Sequence, residues 1–525
     1  MSKYINLGNE AFKEARNGEY VDKTGLIAII NSTLNTERRY SCVTRGRRFG
    51  KTMAAKMLRA YYDKSCDSRG LFSDLKIAQN PSFEEYLNRY TVIYLDVTNF
   101  TTIYKDDPNI VRYIQNELKA ELFRLYPKTE AKPKEDLMSV LTTIANEAGE
   151  KFIMIVDEWD AILREFEGNK TTVDDYINLY RSLFKGSNSE RVFAGVYITG
   201  ILPIKKYKTE SALNNFREYS MIKPGKLAGH IGFTREEVKR LCEKYNMDFE
   251  QMQRWYDGYQ IGTEPSMFNS YSVMEAIANE EFDSYWANTG AYDSVSSYIQ
   301  MNYDGLKDDI IKMLAGERCG VDTTTFGNDP SIVRTKDDVL TILIHLGYLS
   351  YDKENKECYI PNFEVKKEME NAVRGTSWTE ISKTIQNSRT LVEDTILGKE
   401  EAVATAIELT HDDNTSILSY NDENSLSCVL SIAYIWAKNW YIIHREFASG
   451  KGYADLVLIP RKNVSKPAMV IELKYNQDTE TAIDQIRQKN YPAKVADYTG
   501  DVLLVGINYN RQEKKHTCQI EHWIK

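Results

Sequence analysis

The feature that most constrains the fold is an apolar strand that leads directly into a Gly-Lys-Thr loop and then a helix. Tyr40–Thr44 is the apolar strand, residues 45–52 form the loop, and residues 52–63 have a helical pattern. Gly50 lets the backbone approach a phosphate group, and Lys51 can reach the β- and γ-phosphates of a nucleotide. The segment therefore predicts a phosphate-binding loop at the end of a strand in a parallel sheet.

One position of this loop departs from the usual glycine-rich pattern. Arg45 stands where the pattern has its first glycine, and Gly46 follows one position later. We expect Gly46 to supply the flexibility that the first glycine normally gives, and Thr52 to ligate Mg²⁺ at the helix N-terminus. Because Gly-Lys-Thr triplets are common in ordinary loops, the prediction also depends on the strands that follow.

Further apolar runs alternate with helical patterns along the first half of the chain. The additional predicted strands are residues 91–97, 152–156 and 192–198, and the additional predicted helices are residues 110–125 and 172–184. Strand–helix alternation at this spacing is typical of a parallel sheet that helices cover on both faces. The first half is therefore predicted to be α/β.

An acidic pair follows the strand predicted at residues 152–156. At the end of such a strand Asp157 can complete a Mg²⁺ shell, and Glu158 can polarise an attacking water. Thr199 ends the next strand, where it either senses the γ-phosphate or is an ordinary turn residue. An acidic pair at a helix N-terminus would be unremarkable alone, but its combination with the Gly-Lys-Thr loop favours nucleotide binding.

The middle of the chain, from about residue 225 to residue 387, loses the strand signal and is predicted to be mainly helical. Residues 336–346 have a helical pattern, and Gly347 is placed to end that helix. The short runs 348–352 and 357–361 then predict a two-stranded wing. A winged-helix-like nucleic-acid reader and a small α+β connector are equally compatible with this pattern.

The last part of the chain returns to an α/β pattern with strands predicted at residues 454–459, 468–473 and 502–507. Asp455 begins the first of these strands, and Glu472 and Lys474 lie on one face of the second. Two carboxylates supply oxygen ligands for Mg²⁺, and a lysine beside them can orient or deprotonate water. Since apolar residues surround these charges, the pattern indicates metal-dependent phosphodiester cleavage.

The motifs of the first half resemble the predicted AAA-ATPase-like family of prokaryotic proteins. The matching motifs are residues 20–24, 45–52, 155–158, 198–200, 213–216, 232–238, 255–259, 268–273 and 285–289. The resemblance spans roughly residues 6–289 and implies ATP binding without naming a substrate. In that family the loop also tends to be Arg-Arg-Phe-Gly-Lys rather than glycine-rich, so Arg45 looks like a family trait rather than a defect. The residues expected to bind the nucleotide are Gly46, Gly50, Lys51, Thr52, Asp157 and Thr199.

The segment from about residue 390 to residue 525 resembles the PD-(D/E)XK nuclease superfamily, in the branch often fused to that ATPase family. The matching residues are 450–455, 471–474, 482–491 and the strand 503–507. The resemblance implies metal binding by Asp455 and Glu472, water positioning by Lys474 and a supporting role for Gln485. It also implies an acidic residue on the first helix of the domain. Our first candidate is Glu423 and the second is Glu446.

Composition excludes several other classes of protein. The formal net charge of −9 excludes a basic coat over the whole protein, although a local basic face is compatible with it. The seven cysteines form no CxxC pair, which favours a reducing cytoplasm over a disulfide framework. The most apolar stretch, residues 426–443, falls short of the ~20 apolar residues of a membrane span, so we predict a buried helix there.

These observations predict a three-part α/β protein. Residues 1–224 would be a P-loop ATPase sheet, 225–389 a helical lid with a winged-helix-like connector, and 390–525 a restriction-endonuclease-like domain. ATP would control Mg²⁺- or Mn²⁺-dependent cleavage of nucleic acid, DNA more than RNA, with homo-oligomers possible. One alternative is a nucleotide-switched binding or assembly module whose nuclease-like domain does not cleave, and another is a ring-forming motor.

Overall fold

The chain divides into two compact units. Met1–Gly290 with Cys319–Glu368 form the first unit, and Ala291–Arg318 with Met369–Lys525 form the second. The predicted three-part division stays a prediction. The computed structural model describes residues 2–166, 168–204, 213–286, 298, 303, 305–327, 333–374, 379–413, 429–430, 433–448, 453–461, 464–488 and 501–523.

A five-stranded parallel sheet forms the centre of the first unit. Its strands are β1 (Tyr40–Thr44), β2 (Thr91–Asp96), β3 (Phe152–Asp157), β4 (Phe193–Gly200) and β5 (Arg217–Tyr219). The sheet order is β2-β3-β4-β1-β5, and every pair is parallel. The four predicted strands are confirmed. We did not predict β5, because this short edge strand begins with the exposed, charged Arg217 and Glu218 and has no apolar pattern.

Helices cover this sheet and bury their apolar stripes against it. Ile110–Leu125 shows the pattern, since Ile110, Ile114, Leu118 and Leu122 recur every fourth residue and are all buried in the core of the sheet. The α-helices described up to residue 286 are Glu10–Asn17, Gly25–Asn31, Lys51–Tyr62, Arg69–Phe72, Phe83–Tyr86, Val97–Ile103, Ile110–Leu125, Leu137–Ala148, Ala161–Glu165, Lys170–Phe184, Ser189–Val192, Arg235–Tyr245, Phe249–Tyr256 and Ser270–Asn279. Short 3₁₀-helices occur at Lys76–Gln79 and Gly225–His230.

The region predicted to be mainly helical contains two small sheets. One comprises β6 (Phe233–Thr234), β7 (Tyr259–Ile261) and β8 (Glu264–Phe268), in the order β6-β8-β7. The described part of this region is mainly helical, as predicted. Its strands were not predicted, because strands of two to five residues that include Pro265 and Glu264 carry too little apolar periodicity to detect.

The predicted helix and wing are present. Lys336–Leu346 is a helix, and Gly347 ends it with a φ of 90°, a left-handed conformation that favours glycine. The wing strands β10 (Ser350–Asp352) and β11 (Glu357–Tyr359) pair antiparallel, and β11 also pairs with β9 (Cys319–Gly320). The helix Phe363–Arg374 follows this small sheet.

A five-stranded mixed sheet forms the second unit. Its strands, in sheet order, are β12 (Tyr441–Ala448), β13 (Tyr453–Pro460), β14 (Ala468–Tyr475), β15 (Val502–Asn510) and β16 (Lys515–Trp523). Only the β14–β15 pair is parallel among these described strands. The helices described in this unit are Leu306–Ala315, Thr379–Ile396, Glu400–Asp413, the 3₁₀-helix Ile435–Asn439 and Thr479–Gln488.

Alternation along the strands separates two apolar layers in this sheet. Leu456 and Leu458 contribute to the layer on one face, while Val457 and Ile459 contribute to the layer on the other face. The helix Thr479–Gln488 packs in the second layer through Ile483 and Ile486. The central strands are therefore buried on both faces.

The buried helix predicted at residues 426–443 was wrong over its last part. Ile435–Asn439 is a 3₁₀-helix, and Tyr441 already begins β12. Tyr441 is buried whereas Ile442 is 45% exposed, which is the two-residue period of an edge strand. The high density of apolar residues hid this change of period. Within the described residues, every helix is too short or too polar to cross a membrane.

Candidate nucleotide and nuclease sites

The loop between β1 and the helix Lys51–Tyr62 curls around the amine of Lys51. The Lys51 side chain is buried, and its Nζ donates to the carbonyl oxygens of Arg45 and Gly46, at 3.2 and 3.1 Å. Gly50 caps the helix with a φ of 87°, which a residue with a Cβ adopts only with strain. Lys51 therefore ties the end of the loop back to its first two residues, and Gly50 makes the turn from the loop into the helix.

Arg45, which stands at the position of the missing glycine, is a structural anchor. Its side chain is fully buried, and burial lowers the pKa of Arg45 to about 10. The guanidinium donates to the carbonyl oxygens of Thr44, Tyr219 and Leu227, at 2.9, 2.9 and 3.3 Å. Arg45 thus ties the start of the loop to β5 and to the 3₁₀-helix at Gly225–His230.

Gly46 packs closely against another part of the backbone, and the predicted contribution of its flexibility stays a prediction. A Cβ at Gly46 would lie 3.0 Å from Cα of Gly347 and 3.1 Å from the carbonyl oxygen of Leu346. The loop backbone therefore packs against the backbone at the end of the helix Lys336–Leu346. The predicted contact of Gly46 with a nucleotide stays a prediction.

The middle of the loop is held by the segment around the helix Ser270–Asn279. The Asn269 amide donates to the carbonyl of Arg47, and the Ser270 hydroxyl donates to the carbonyl of Arg48. The Arg48 guanidinium donates to the Tyr285 carbonyl and lies 4.0 Å from the centre of the Tyr271 ring. These contacts hold a loop that has few glycines of its own.

Asp157 lies at the end of β3 in a network of hydroxyl groups. The Thr199 hydroxyl donates to one carboxylate oxygen of Asp157, and the Tyr94 hydroxyl donates to the other at 3.3 Å. Burial raises the pKa of Asp157, while hydrogen bonds from Thr199 and Thr52 oppose that effect. The structure therefore brings together Thr52 and Asp157, the two residues predicted to hold Mg²⁺, and Thr199 orients the carboxylate.

Glu158 is turned toward two cations. Its φ of 50° is left-handed, which is uncommon for a residue with a side chain. One carboxylate oxygen lies 3.6 Å from Nζ of Lys51, and the other accepts a hydrogen bond from Arg164 at 2.9 Å. Burial by itself would raise the pKa of Glu158, but the charges of Lys51, Arg164 and Arg47 lower it. Glu158 is therefore ionised at neutral pH and can accept a proton.

A cavity of about 650 Å³ joins these groups to an apolar compartment. Its volume is within the usual range of small-molecule and cofactor pockets. The predicted residues on its wall are Gly50, Lys51, Thr52 and Glu158, whereas Gly46, Asp157 and Thr199 do not line it. The apolar and aromatic lining includes Tyr20, Val21, Met53, Met57, Phe233 and Met274. The arrangement offers cations at one part of the wall and apolar surface for a flat ring at another.

The second unit brings the predicted nuclease residues together on β13, β14 and one helix. Leu456 pairs with Ile471, so that Asp455 falls opposite Glu472. A carboxylate oxygen of Asp455 accepts a hydrogen bond from the backbone N–H of Leu473 at 2.7 Å. This bond fixes the orientation of the Asp455 carboxylate.

Glu472 is held between two further predicted residues. It is only 2% exposed, and one of its oxygens lies 3.3 Å from Nζ of Lys474. The same oxygen accepts a hydrogen bond from the Gln485 amide, on the helix Thr479–Gln488. Gln485 therefore orients a carboxylate, as a supporting residue should.

The acidic residue expected on the first helix is the weakest part of this site. Glu423 lies outside the described residues. Glu446 is in β12 between Arg445 and Phe447, whose partners are Leu456 and Ala454, so its backbone lies beside Asp455. Among the described residues no three His, Cys, Asp or Glu side chains are grouped to hold a metal. The pair Asp455 and Glu472 nevertheless supplies the oxygen donors that Mg²⁺ or Mn²⁺ prefers.

The fold and the two clusters define a class of protein, in which a parallel α/β unit with a phosphate-type loop is joined to a unit with a nuclease-type sheet. Residues 6–209 match the family described as predicted AAA-ATPase. Residues 422–523 match the PD-(D/E)XK nuclease superfamily. The resemblance of both segments is confirmed, and the chain carries an AAA-ATPase-like domain fused to a nuclease-superfamily domain.

Similar solved structures include that of AMPPCP-bound DnaA from Aquifex aeolicus. The DnaA sequence is 10% identical to this chain. That match covers 57% of this chain and 80% of DnaA, with a TM-score of 0.26. ORC2 from Aeropyrum pernix, in its ADPNP–ADP complexes, is 13% identical to this chain. That match covers 71% of this chain and 99% of ORC2, with a TM-score of 0.32. No curated protein matches the chain.

Two charged residues of the nucleotide site were not predicted from the sequence. Asp160 and Arg164 follow Glu158 closely, and both pack against the groups described above. Their spacing of four residues, which places them on one face of a helix, was the signal that could have revealed them.

Proposed function

We propose that this protein binds and hydrolyses ATP and that the nucleotide controls metal-dependent cleavage of nucleic acid by its second unit. The observation that supports this most is the convergence of Lys51, Thr52, Asp157 and Glu158, from two distant chain segments, beside a cavity of nucleotide size. The two family matches support the same pairing of activities. DNA is the favoured substrate over RNA.

In the ATPase site each residue has a separate task. Lys51 would contact the β- and γ-phosphates, while Thr52 and Asp157 would hold Mg²⁺. Glu158 would take the proton of the attacking water on a carboxylate oxygen, which is available because Glu158 is ionised at neutral pH. Thr199 would keep Asp157 oriented through its hydroxyl group.

In the nuclease site the tasks divide in a similar way. Asp455 and Glu472 would hold the divalent ion, which when bound neutralises charge on the phosphate and lowers the pKa of water. Lys474 would position the attacking water from its place 3.3 Å from Glu472. Gln485 would fix the Glu472 carboxylate by donating to it.

A cleavage panel tests this proposal. The purified protein would be incubated with duplex DNA, single-stranded DNA and RNA, in Mg²⁺ or Mn²⁺, with and without ATP. Asp455→Asn is the matched control, because it removes a charge and keeps the shape of the side chain. We expect metal-dependent cleavage that ATP changes and that the variant loses.

The other outcomes of this panel contradict the proposal in different ways. Cleavage that is indifferent to ATP would remove nucleotide control. Equal cleavage by wild type and variant would show that the activity does not come from this site. Nucleic-acid binding without cleavage in any metal would favour a nucleotide-switched binding module, in which the pair Asp455 and Glu472 no longer supports chemistry.

A further inference from the structure

Arg164 forms part of the cavity wall and contacts the proposed catalytic base directly. It lies on the short helix Ala161–Glu165, which follows Glu158 in the chain. Its Nη2 donates to a carboxylate oxygen of Glu158 at 2.9 Å, and its Nε lies 3.2 Å from a carboxylate oxygen of Asp160. The guanidinium therefore bridges two carboxylates.

Asp160 is itself fixed to the sheet. Its side chain is fully buried, and its oxygens accept hydrogen bonds from the backbone N–H groups of Ile201 and Leu202, the nearest at 2.9 Å. Both residues follow directly after β4, which ends at Gly200. A Cβ at Gly200 would lie 2.5 Å from an Asp160 oxygen, so the approach depends on glycine. Arg164 is consequently anchored to the end of β4.

Lys51, a second cation beside Glu158, has another task under the proposed function. Lys51 lies 3.6 Å from Glu158, but under the proposed function it serves the phosphates of ATP. The left-handed backbone of Glu158 ends the regular strand, so the sheet does not fix the direction of its side chain. Arg164 donates a hydrogen bond to this carboxylate at 2.9 Å, so it can fix that direction.

We propose that Arg164 is a positioning residue for ATP hydrolysis, which aims the Glu158 carboxylate at the attacking water and couples it through Asp160 to the end of β4. This inference rests on the proposed ATPase function. It concerns the hydrolytic step, and Lys51 remains the main contact for the phosphates.

Arginine suits this task better than lysine. Its planar guanidinium presents several N–H groups in a rigid fork, so that one side chain can face Glu158 and Asp160 together. A lysine would keep the positive charge but would present a single ammonium group. Replacing Arg164 with Lys therefore separates the geometry of the bridge from its charge.

The test compares Arg164→Lys and Arg164→Gln with wild type in steady-state ATP hydrolysis. We expect kcat to fall about 10- to 100-fold in both variants, because a small displacement of a catalytic group costs that much. KM and the affinity for a fluorescent ADP analogue should change less than about threefold. Arg112→Gln, at an exposed position on Ile110–Leu125, is the control and should match wild type.

A double variant distinguishes positioning from a structural role. If Arg164 acts through Glu158, then Arg164→Gln in a Glu158→Gln background should lower kcat no further. Full activity of Arg164→Lys, or additive losses in the double variant, would overturn the inference. A wild-type protein that neither binds the ADP analogue nor hydrolyses ATP would instead overturn the proposed function itself.

Discussion

Both candidate sites place acidic groups beside one lysine. The two sites differ in how far apart along the chain the lysine and the acidic residues lie. In the nucleotide site Lys51 lies 3.6 Å from Glu158, and the segments that follow β1 and β3 supply the two residues. In the nuclease site Lys474 lies 3.3 Å from Glu472, which is two residues earlier on the same strand, β14. The first site depends on the packing of a whole unit, whereas the second depends mainly on the alternation and register of two strands.

This difference has a consequence for how each site responds to change. The nucleotide loop is held by Arg45, by Asn269 and Ser270, and by the approach of Gly46 to Gly347. Such a site should be sensitive to substitutions far from the cavity. The nuclease residues lie within strands that are buried on both faces, so their spacing should survive most distant substitutions.

The largest expected effect is the loss of ATP hydrolysis in Lys51→Ala. Removing the buried ammonium takes away the expected phosphate contact and leaves the carbonyls of Arg45 and Gly46 without their donor. We expect a fall in hydrolysis of about 10³-fold, measured by phosphate release. Turnover at the wild-type rate would contradict the assignment of this loop.

The response of the second unit to Lys51→Ala sharpens the comparison. If the nuclease site is local to its strands, the variant should bind Mn²⁺ with wild-type affinity in calorimetry. The positions of Glu472 and Lys474 on one strand indicate that the nuclease site forms independently of the nucleotide site. A loss of metal binding in Lys51→Ala would contradict that independence.

The next effect in size is the loss of cleavage in Asp455→Asn. The amide can still accept the hydrogen bond from Leu473, but it is a poor ligand for a divalent ion. Since the loss of a merely supporting partner costs 10- to 100-fold, we expect the loss here to exceed about 100-fold. The rate of ATP hydrolysis without nucleic acid is the control and should be unchanged; a parallel fall would contradict separate sites.

A smaller effect is expected for Gln485→Ala. The variant removes the donor that orients Glu472 but keeps both carboxylates and Lys474. We expect cleavage to fall about 10-fold and the requirement for Mn²⁺ to rise. Gln488→Ala, at an exposed position on the same helix, is a matched control. Equal activities of the two variants would remove Gln485 from the site.

The sequence predicted the parallel strands and the motif residues because these signals are local. β1, β3 and β14 are continuous apolar runs, and the charges that follow or interrupt them stand out. The Glu472, Lys474 and Asp455 grouping was predictable since side chains alternate along a strand. The same locality explains why most of the parallel sheet was found.

What the sequence did not reveal depends on contacts between distant segments. The bonds of Arg45 to Tyr219 and Leu227 join residues more than a hundred positions apart. The approach of Gly46 to Gly347 is similarly distant. The start of edge strand β12 was mistaken for part of a helix. In a short apolar run, the periodicity that distinguishes a strand from a helix is hard to detect.

The smallest expected effect concerns Glu364, a buried acid whose described hydrogen-bond partners include no lysine, unlike the acids of both sites. Its described hydrogen bonds come from the neutral Ser272 hydroxyl and the backbone N–H groups of Tyr285 and Trp286. Burial raises the pKa of Glu364 to about 7 from an ordinary 4.5. The folded protein therefore holds this proton more tightly than the unfolded chain does.

The sign of the pH dependence follows from this difference. Stability from Glu364 is full below pH 4.5 and is lost as the pH rises toward 7, because ionisation is easier in the unfolded chain. Between pH 6 and pH 8 linkage gives a loss of about 1 kcal/mol in the free energy of unfolding. Glu364→Gln, which keeps a carbonyl acceptor, should remove that loss in urea titrations. An identical pH dependence in both proteins would contradict the raised pKa.

The contact between Gly46 and Gly347 has a consequence for the order in which the protein is made. A ribosome synthesises the loop at Gly46 early and its packing partner about 300 residues later. At the ordinary elongation rate of 5 to 20 residues per second, that interval lasts roughly 15 to 60 s. During this time the nascent chain has the complete phosphate-loop sequence but lacks the backbone on which the loop rests. The final geometry of this loop is therefore reached only late in translation.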